Sequence, residues 1–354
     1  MKKLVFLCHG AGNGGAERVI TTLASEFAKK KYKVLMVTTN EDNNDYEMHQ
    51  DVARKRILST KGNAVIRTID RILQLRKCIK EFKADVVISF SSIPNLQAII
   101  ATMGLRKKLI ISERTDPRRY PTSKIGRLMR TVLYPLADTV VFQTEDARAC
   151  FGKLIQKKSR IILNPIRDGL PKANLDEAEK RLIGIGSLGE QKNWPVALEA
   201  AELFFAKHPD YVFDIYGEGP DRNQLQKIID NSELLNKRVV LRGFSSNAVN
   251  ELVKASFFVS SSDYEGISNS MLEALAVGIP VICTDCPIGG ARMMIKKNYN
   301  GLLVPVRNSK IMFEAMCKIV EDKDFSRTIA NNALEIRQKL KLEKIVSEWE
   351  ALVQ

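Results

Sequence analysis

Long uninterrupted apolar segments are scarce in this chain of 354 residues. The longest stretch without a charge, Val86 to Leu105, reaches the roughly 18 residues that a bilayer crossing needs. Ser89, Ser91, Ser92, Pro94, Asn95 and Gln97 crowd its middle, so no membrane span is expected. No secretory leader is expected either: in MKKLVFLCHGAG the apolar run is cut short by His9 and glycines, and export is not expected. Cysteine is sparse, and Cys8, Cys78, Cys150, Cys283, Cys286 and Cys317 are too scattered for a disulfide framework, which suits a reducing cytoplasm. Cys283 and Cys286 form a CxxC, but zinc needs a further ligand pair, so both read as ordinary residues at a strand end. No metal site is expected, because no DxD acid pair falls in a suitable loop after a strand. Helix-turn-helix, zinc-finger and aromatic-platform patterns are lacking as well, which counts against nucleic-acid binding.

What the chain has is a soluble globular composition, 45% hydrophobic, and an uneven surplus of positive charge. Residues 1–170 carry 32 Lys and Arg against 16 Asp and Glu, a net +16, whereas the remainder carries 23 against 25, a net −2. The first half is therefore built to meet something anionic: nucleic acid, a phosphorylated substrate or an anionic membrane face.

Short β-branched runs alternate with helical patterns, the mark of βαβ units on parallel sheets. Six runs fall in the first half: Leu4–Cys8, Val34–Thr39, Asp85–Phe90, Lys108–Ser112, Thr139–Thr144 and Arg160–Asn164. Six more follow at Leu182–Ser187, Tyr211–Gly217, Arg238–Gly243, Phe257–Ser262, Pro280–Thr284 and Gly301–Pro305. The expected fold is α/β, with two doubly wound Rossmann-like domains facing across a cleft. The boundaries read as 1–168, a linker at 169–180, 181–338, and a C-terminal helix at 339–354 that could pack back on the first domain. Ligands of such sheets sit beyond the carboxyl ends of the strands, so the functional residues belong in the loops that follow them.

Two such loops stand out. After the first strand, HGAGNGGAER places Gly10, Gly12 and Gly15 in the GxGxxG pattern of dinucleotide sites. With Glu41 or Asp42 as the acid for an adenosine ribose, this leaves an NAD(P)-dependent oxidoreductase as an alternative. The second loop, YEGISNSMLEALA from Tyr264, directly follows the strand FFVSSS. Gly266 permits a tight turn, Ser268, Asn269 and Ser270 are competent N-caps, and a helix then runs to near Gly278. Free amides and the partial positive charge of a helix start suit a diphosphate. Glu273, a turn inside, is placed for a ribose diol, and Glu265 for a sugar hydroxyl; the alternative is one capping and one solvated glutamate.

The pair Glu265-x7-Glu273 inside S-x-x-E-G-x6-E-A resembles the signature of glycosyltransferase family 4, retaining nucleotide-sugar transferases of the GT-B fold. GGAER, ILNP, G-x-L-x3-K-N, YGEGP, RGF, DCPIGG and NGLLVP agree with it in order over nearly the whole chain. ADVVISF, LIISER and DCPIGG look most like bacterial enzymes that extend lipid-linked surface polysaccharides and glycans. The resemblance implies that Glu273 binds the ribose, that Glu265 contacts the transferred sugar, and that Gly266, Ile267, Ser268, Asn269 and Ser270 hold the diphosphate with Lys192. It further implies that Phe244 and Ser245 lie at the base, and that Gly14 and Gly15 close over the donor. Three departures are visible: Ser187 stands where many members have a second diphosphate-binding arginine, Arg114 where many have a histidine near the sugar, and Met293 where an acid often follows. Arg114, Arg118 or Arg119 could restore the missing charge.

The implied reaction moves a hexose or N-acetylhexosamine from a nucleotide diphosphate sugar, UDP-linked by expectation, with retention and without metal or cofactor. The basic half suggests the acceptor. Asn63 to Lys83 reads as an amphipathic helix with Val65, Ile66, Ile69, Ile72, Leu73, Ile79 and Phe82 on one face and Arg67, Arg71, Arg76, Lys77, Lys80 and Lys83 on the rest. Lys124, Arg127 and Arg130 recur between Ile125, Leu128, Met129 and Leu133. Either these are ordinary Rossmann helices, or they dock on the anionic inner leaflet and meet a polyprenyl-diphosphate-linked acceptor.

Overall fold

The computed structural model describes residues 1–12, 14–40, 46–245 and 247–354. It divides into two compact units, Met1–Pro165 with Leu342–Gln354, and Ile166–Lys341. Each unit is a parallel sheet wrapped by helices.

The first sheet contains β1 Lys3–Cys8, β2 Lys33–Thr38, β3 Val52–Arg56, β4 Val86–Phe90, β5 Lys108–Ser112, β6 Thr139–Phe142 and β7 Ser159–Ile161, in the order β3-β2-β1-β4-β5-β6-β7. Val5 lies in register with Leu35 on one side and Val87 on the other. Burial on both faces explains why β1 after Lys3 and β4 apart from Ser89 read as apolar runs. Six strands were expected here, and the sheet has seven. The addition is β3, Val-Ala-Arg-Lys-Arg, an edge strand in which only Val52 is buried. Its charges are typical of an edge protected from further pairing, and they hide it from a search for apolar runs.

The second sheet contains β8 Glu179–Ile185, β9 Val212–Tyr216, β10 Val239–Gly243, β11 Ala255–Ser260, β12 Val281–Thr284 and β13 Leu302–Val304, in the order β10-β9-β8-β11-β12-β13. These are the six expected runs. Both sheets reverse direction of winding at their first strand, so each is doubly wound, and all pairings are parallel. Every post-strand loop of the second unit therefore emerges at one edge.

The uncharged stretch after Asp85 resolves into β4 and a separate helix, and no helix among the described residues is long and apolar enough to cross a membrane. The first unit's helices include α1 Gly15–Lys29, α2 Ala64–Phe82, α3 Ser92–Thr102 and α4 Lys124–Leu133. Asn63 caps α2, its Oδ1 accepting from the Val65 and Ile66 amides at 3.1 Å, and Ser123 caps α4 through the Gly126 amide. The C-terminal helix Leu342–Val353 belongs to this unit: Ile345, Val346 and Trp349 are buried, the Trp349 ring lies 5.4 Å from that of Phe90, and Tyr32 Oη donates to Glu350 at 3.0 Å.

Candidate active site

The loop after β11 leads into the helix Asn269–Val277, which begins at Ser268 and stops at Gly278 in the left-handed conformation. Ser268 Oγ accepts from the Met271 amide at 3.4 Å, and Ser270 Oγ donates to the Ile185 carbonyl at 2.9 Å, pinning the helix start to the end of β8. The helix is almost wholly buried, Glu273 included. A carboxylate is costly to hold in such a place without a partner of opposite charge or hydrogen bonds. Arg167 supplies a cation, its Nε 3.5 Å from Glu273 Oε1. Nothing in the sequence pattern marks Arg167, because its partner is distant along the chain.

Lys192 reaches this region from the loop after β8. Its Nζ lies 2.5 Å from Glu265 Oε2, with both side chains mostly buried. The two loops are stitched together around this pair: Ser261 Oγ donates to the Lys192 carbonyl (2.8 Å), the Asp263 amide to Gln191 (2.9 Å), Gln191 Nε2 to the Tyr264 carbonyl (3.0 Å) and Asn193 Nδ2 to Asp263 (2.9 Å). The lysine is thus held by its own backbone as well as by its counter-ion.

Two glycines explain landmarks that the sequence marks without a reason. A Cβ on Gly186 would come within 2.7 Å of Lys192 Cε, so the glycine of G-x-L leaves the path for the lysine chain. A Cβ on Gly290 would fall 1.6 Å from the Gly266 carbonyl oxygen. The GG of DCPIGG therefore buttresses the Glu265-Gly266 turn, which is also tied by the Glu265 amide donating to the Pro287 carbonyl at 3.1 Å. Beneath the turn is a small recess lined by residues including Ser262, Glu265, Ser268, Cys283, Thr284 and Cys286. Burial, reinforced by the charge of Glu265, pushes the Cys286 thiol up to about 12, and burial raises that of Cys283 further. Both are free and protonated neighbours, poor nucleophiles at neutral pH.

The structure brings Glu265, Gly266, Ile267, Ser268, Asn269, Ser270, Glu273 and Lys192 together. Phe244 and Ser245 follow β10 at the same sheet edge, with the Phe244 ring exposed and Ser245 Oγ accepting from the Asn247 amide. Gly14, Gly15 and Arg114 lie in the first unit. Gly14 is the N-cap of α1, where a Cβ would run into the Glu17 carboxylate, and Gly15 opens the helix. Asn13, Glu41 and Asp42 lie outside the described residues. Arg114 is buried, stacked 4.0 Å from the Phe90 ring centre and 5.6 Å from that of Trp349, and Nη1 donates to Asn164 at 2.9 Å. Its Nε and Nη2 have no hydrogen-bond partner among the described residues, and desolvation lowers its guanidinium to about 9. Arg118 and Arg119 are exposed.

The amphipathic helices leave much of their apolar faces uncovered, although Ile79 at the far end of α2 is buried. In α2, Val65, Ile66, Ile69 and Leu73 are exposed, Val65 by 65%; α4 has no buried residue, with Ile125 at 72% and Leu128 at 65%. α3 packs against both and adds exposed Ile93. Some of the basic side chains are committed locally: Arg76 donates to the Ala101 and Met103 carbonyls, Arg127 to Pro121 and Arg130 to Pro117.

A pair of doubly wound Rossmann-like units, the second carrying a helix start, a lysine and two glutamates, defines the GT-B class. Comparison with known proteins agrees: residues 13–168 match Glycosyltransferase Family 4, and residues 167–336 match Glycosyl transferases group 1. The chain belongs to the glycosyltransferases of these paired families, and it is a hexosyltransferase; an oxidoreductase reading finds no support. A Campylobacter jejuni relative, GalNAc-alpha-(1->4)-GalNAc-alpha-(1->3)-diNAcBac-PP-undecaprenol alpha-1,4-N-acetyl-D-galactosaminyltransferase, is 28% identical over 100% of this chain and 98% of its own. An Escherichia coli relative, UDP-Gal:alpha-D-GlcNAc-diphosphoundecaprenol alpha-1,3-galactosyltransferase, is 23% identical over 73% and 72%. Anabaena HepE in complex with UDP and glucose has the same fold, with a TM-score of 0.83 at 15% identity over 99% of both chains.

Proposed function

We propose that the chain transfers a hexose or N-acetylhexosamine from a UDP-sugar, with retention of configuration, to a sugar on a polyprenyl-diphosphate-linked acceptor during surface polysaccharide or glycan assembly. The observation that carries this reading is the Lys192–Glu265 pair at the start of the buried helix Asn269–Val277, with Glu273 one turn inside.

In this reading the diphosphate rests on the amides of Ile267, Ser268, Asn269 and Ser270, which Gly266 turns toward it, and on Lys192. Glu273 accepts from the ribose hydroxyls, Glu265 orients the sugar, and Phe244 and Ser245 flank the base. Gly14, Gly15 and Arg114 complete the residues assigned to donor binding. The difficult event is departure of the diphosphate. Preorganised donors stabilise the charge that develops on it, and this chemistry calls on no metal. The acceptor hydroxyl attacks the face that the diphosphate leaves and gives its proton to the departing phosphate oxygen, so no separate base is assigned.

The acceptor's lipid accounts for the first unit. Exposed Val65, Ile66, Ile69, Ile125 and Leu128, on helices that also carry exposed Lys77, Lys80 and Lys124, suit shallow insertion into an anionic inner leaflet. Relatives that act on undecaprenyl-diphosphate-linked sugars favour this acceptor class. The test is a panel of UDP-sugars offered with lipid-linked and soluble acceptors, read by the anomeric configuration of the product. Transfer to the lipid-linked acceptor with the donor's configuration is expected; use of soluble sugars alone, or inversion, contradicts the proposal.

A further inference from the structure

Ser187 cannot supply the second cation that its position has in the resembled family; its carbonyl accepts from Trp194 Nε1 at 3.0 Å, and its side chain is exposed. A leaving diphosphate facing one lysine is undercompensated. The second unit offers cations nearby, but most are committed: Arg292 pairs with Asp285 at 2.6 Å and Arg307 with Asp263 at 2.7 Å. Arg167 differs. It touches Glu273 through Nε at the long distance of 3.5 Å, and its side chain is about half exposed.

The segment that carries Arg167 is fastened along the helix Asn269–Val277. The Ile166 amide donates to the Leu340 carbonyl at 3.1 Å and the Ala173 amide to Val277 at 2.8 Å, while Arg337 donates to the carbonyls of both Ala276 (2.5 Å) and Pro171 (2.6 Å). Arg167 is thereby delivered to the flank of the helix at Glu273. Glu273 is four residues from Asn269, a rise of about 6 Å, so the guanidinium stands about one turn from the amides proposed for the diphosphate.

We propose that Arg167 is the second diphosphate cation, standing in for Ser187. This rests on the donor site proposed above. On donor binding Glu273 turns to the ribose diol while Arg167 bridges that carboxylate and a diphosphate oxygen. During transfer the bond from the sugar's anomeric carbon to the phosphate oxygen breaks, its electron pair stays on the phosphate, and the acceptor oxygen bonds to that carbon. The acceptor's proton passes to the departing oxygen. Arg167 and Lys192 share the charge that accumulates on the diphosphate, and the forked guanidinium is suited to holding the carboxylate and a phosphate oxygen at once.

The test is titration calorimetry with UDP and with uridine, on wild type, Arg167→Gln, Arg167→Lys, Glu273→Ala and the double variant Arg167→Gln/Ser187→Arg, each checked for an unchanged melting profile. Arg167→Gln is expected to weaken UDP roughly tenfold and to leave uridine within about twofold, with Arg167→Lys intermediate. The added arginine at the exposed position 187 restores most of the loss. Equal losses for UDP and uridine make Arg167 only a prop for Glu273 and overturn the proposal, as does unchanged UDP affinity. If those outcomes occur while Glu273→Ala still abolishes nucleotide binding, the donor site stands without this role for Arg167. Wild type that binds no UDP overturns both.

Discussion

Lys192 Nζ and Glu265 Oε2 lie 2.5 Å apart, joining the loop after β8 to the loop after β11. Neither residue is free to wander: the lysine's backbone is held by Ser261 and the glutamate's by Pro287. Removing one partner leaves the other mostly buried with its charge uncompensated, so the pair responds as a unit. Lys192→Ala is expected to cut turnover roughly tenfold or more, the scale of losing one charged contact to a leaving group. The double variant Lys192→Ala/Glu265→Gln should lose less than the product of the single losses. Steady-state kinetics on the four proteins checks this; strictly independent effects contradict the coupling.

Gly290 is a position where even a methyl group does not fit, since its Cβ would sit 1.6 Å from the Gly266 carbonyl oxygen. Gly290→Ala should cost about 1–3 kcal/mol by overpacking and depress activity further by tilting the Glu265 turn. Gly152, with nothing near its Cβ position, is the control and should tolerate alanine. Thermal melts and turnover of the two variants give the comparison; equal behaviour would contradict the buttress.

Arg114 is a buried cation with two unpartnered nitrogens, which lowers stability rather than raising it. Its guanidinium is lowered to about 9 by desolvation, so the folded protein holds the proton less tightly than the unfolded chain. The cost is present below that value and is relieved as pH rises from about 9 toward the guanidinium's ordinary value. Arg114→Met should therefore melt no lower than wild type at neutral pH, helped by Asn164 keeping its bond from Gln143 at 2.7 Å. If the arginine is retained for the reaction, the same variant loses activity roughly tenfold. A variant that is both less stable and fully active reverses this reading.

The exposed faces of α2 and α4 lead to a prediction at the membrane. Ile69→Asp with Leu128→Asp places charge on surfaces already open to solvent, so the fold should survive unchanged. Sedimentation with anionic vesicles should fall several-fold, whereas transfer to a short soluble acceptor analogue should not. Retained vesicle binding would show that lipid lies elsewhere.

Much of this was legible in the sequence, for physical reasons. Parallel strands buried on both faces leave apolar runs, and twelve of the thirteen strands announced themselves this way. β3 did not, because an edge strand with charged side chains carries the opposite pattern. The end of the site helix near Gly278, and its start among Ser268, Asn269 and Ser270, were readable because capping chemistry is local, and the structure selects Ser268 as the cap. The contacts of Arg167 with Glu273 and of Gly290 with Gly266 were not, since each depends on how distant segments pack. Amphipathic spacing showed that α2 and α4 have apolar faces, but only the tertiary structure shows that Val65, Ile66, Ile69 and Leu73 of α2 and Ile125 and Leu128 of α4 stay exposed among the described residues.

The account's central claim is that the second unit holds a UDP-sugar through Glu273 and Lys192 and passes the sugar to a lipid-linked acceptor. Its most direct test is sugar transfer from a UDP-sugar panel to a polyprenyl-diphosphate-linked acceptor, wild type against Glu273→Ala. The account predicts a product in the donor's anomeric configuration, formed at least roughly tenfold more slowly by the variant. Equal rates for the two proteins, or no transfer from any UDP-sugar, would contradict it.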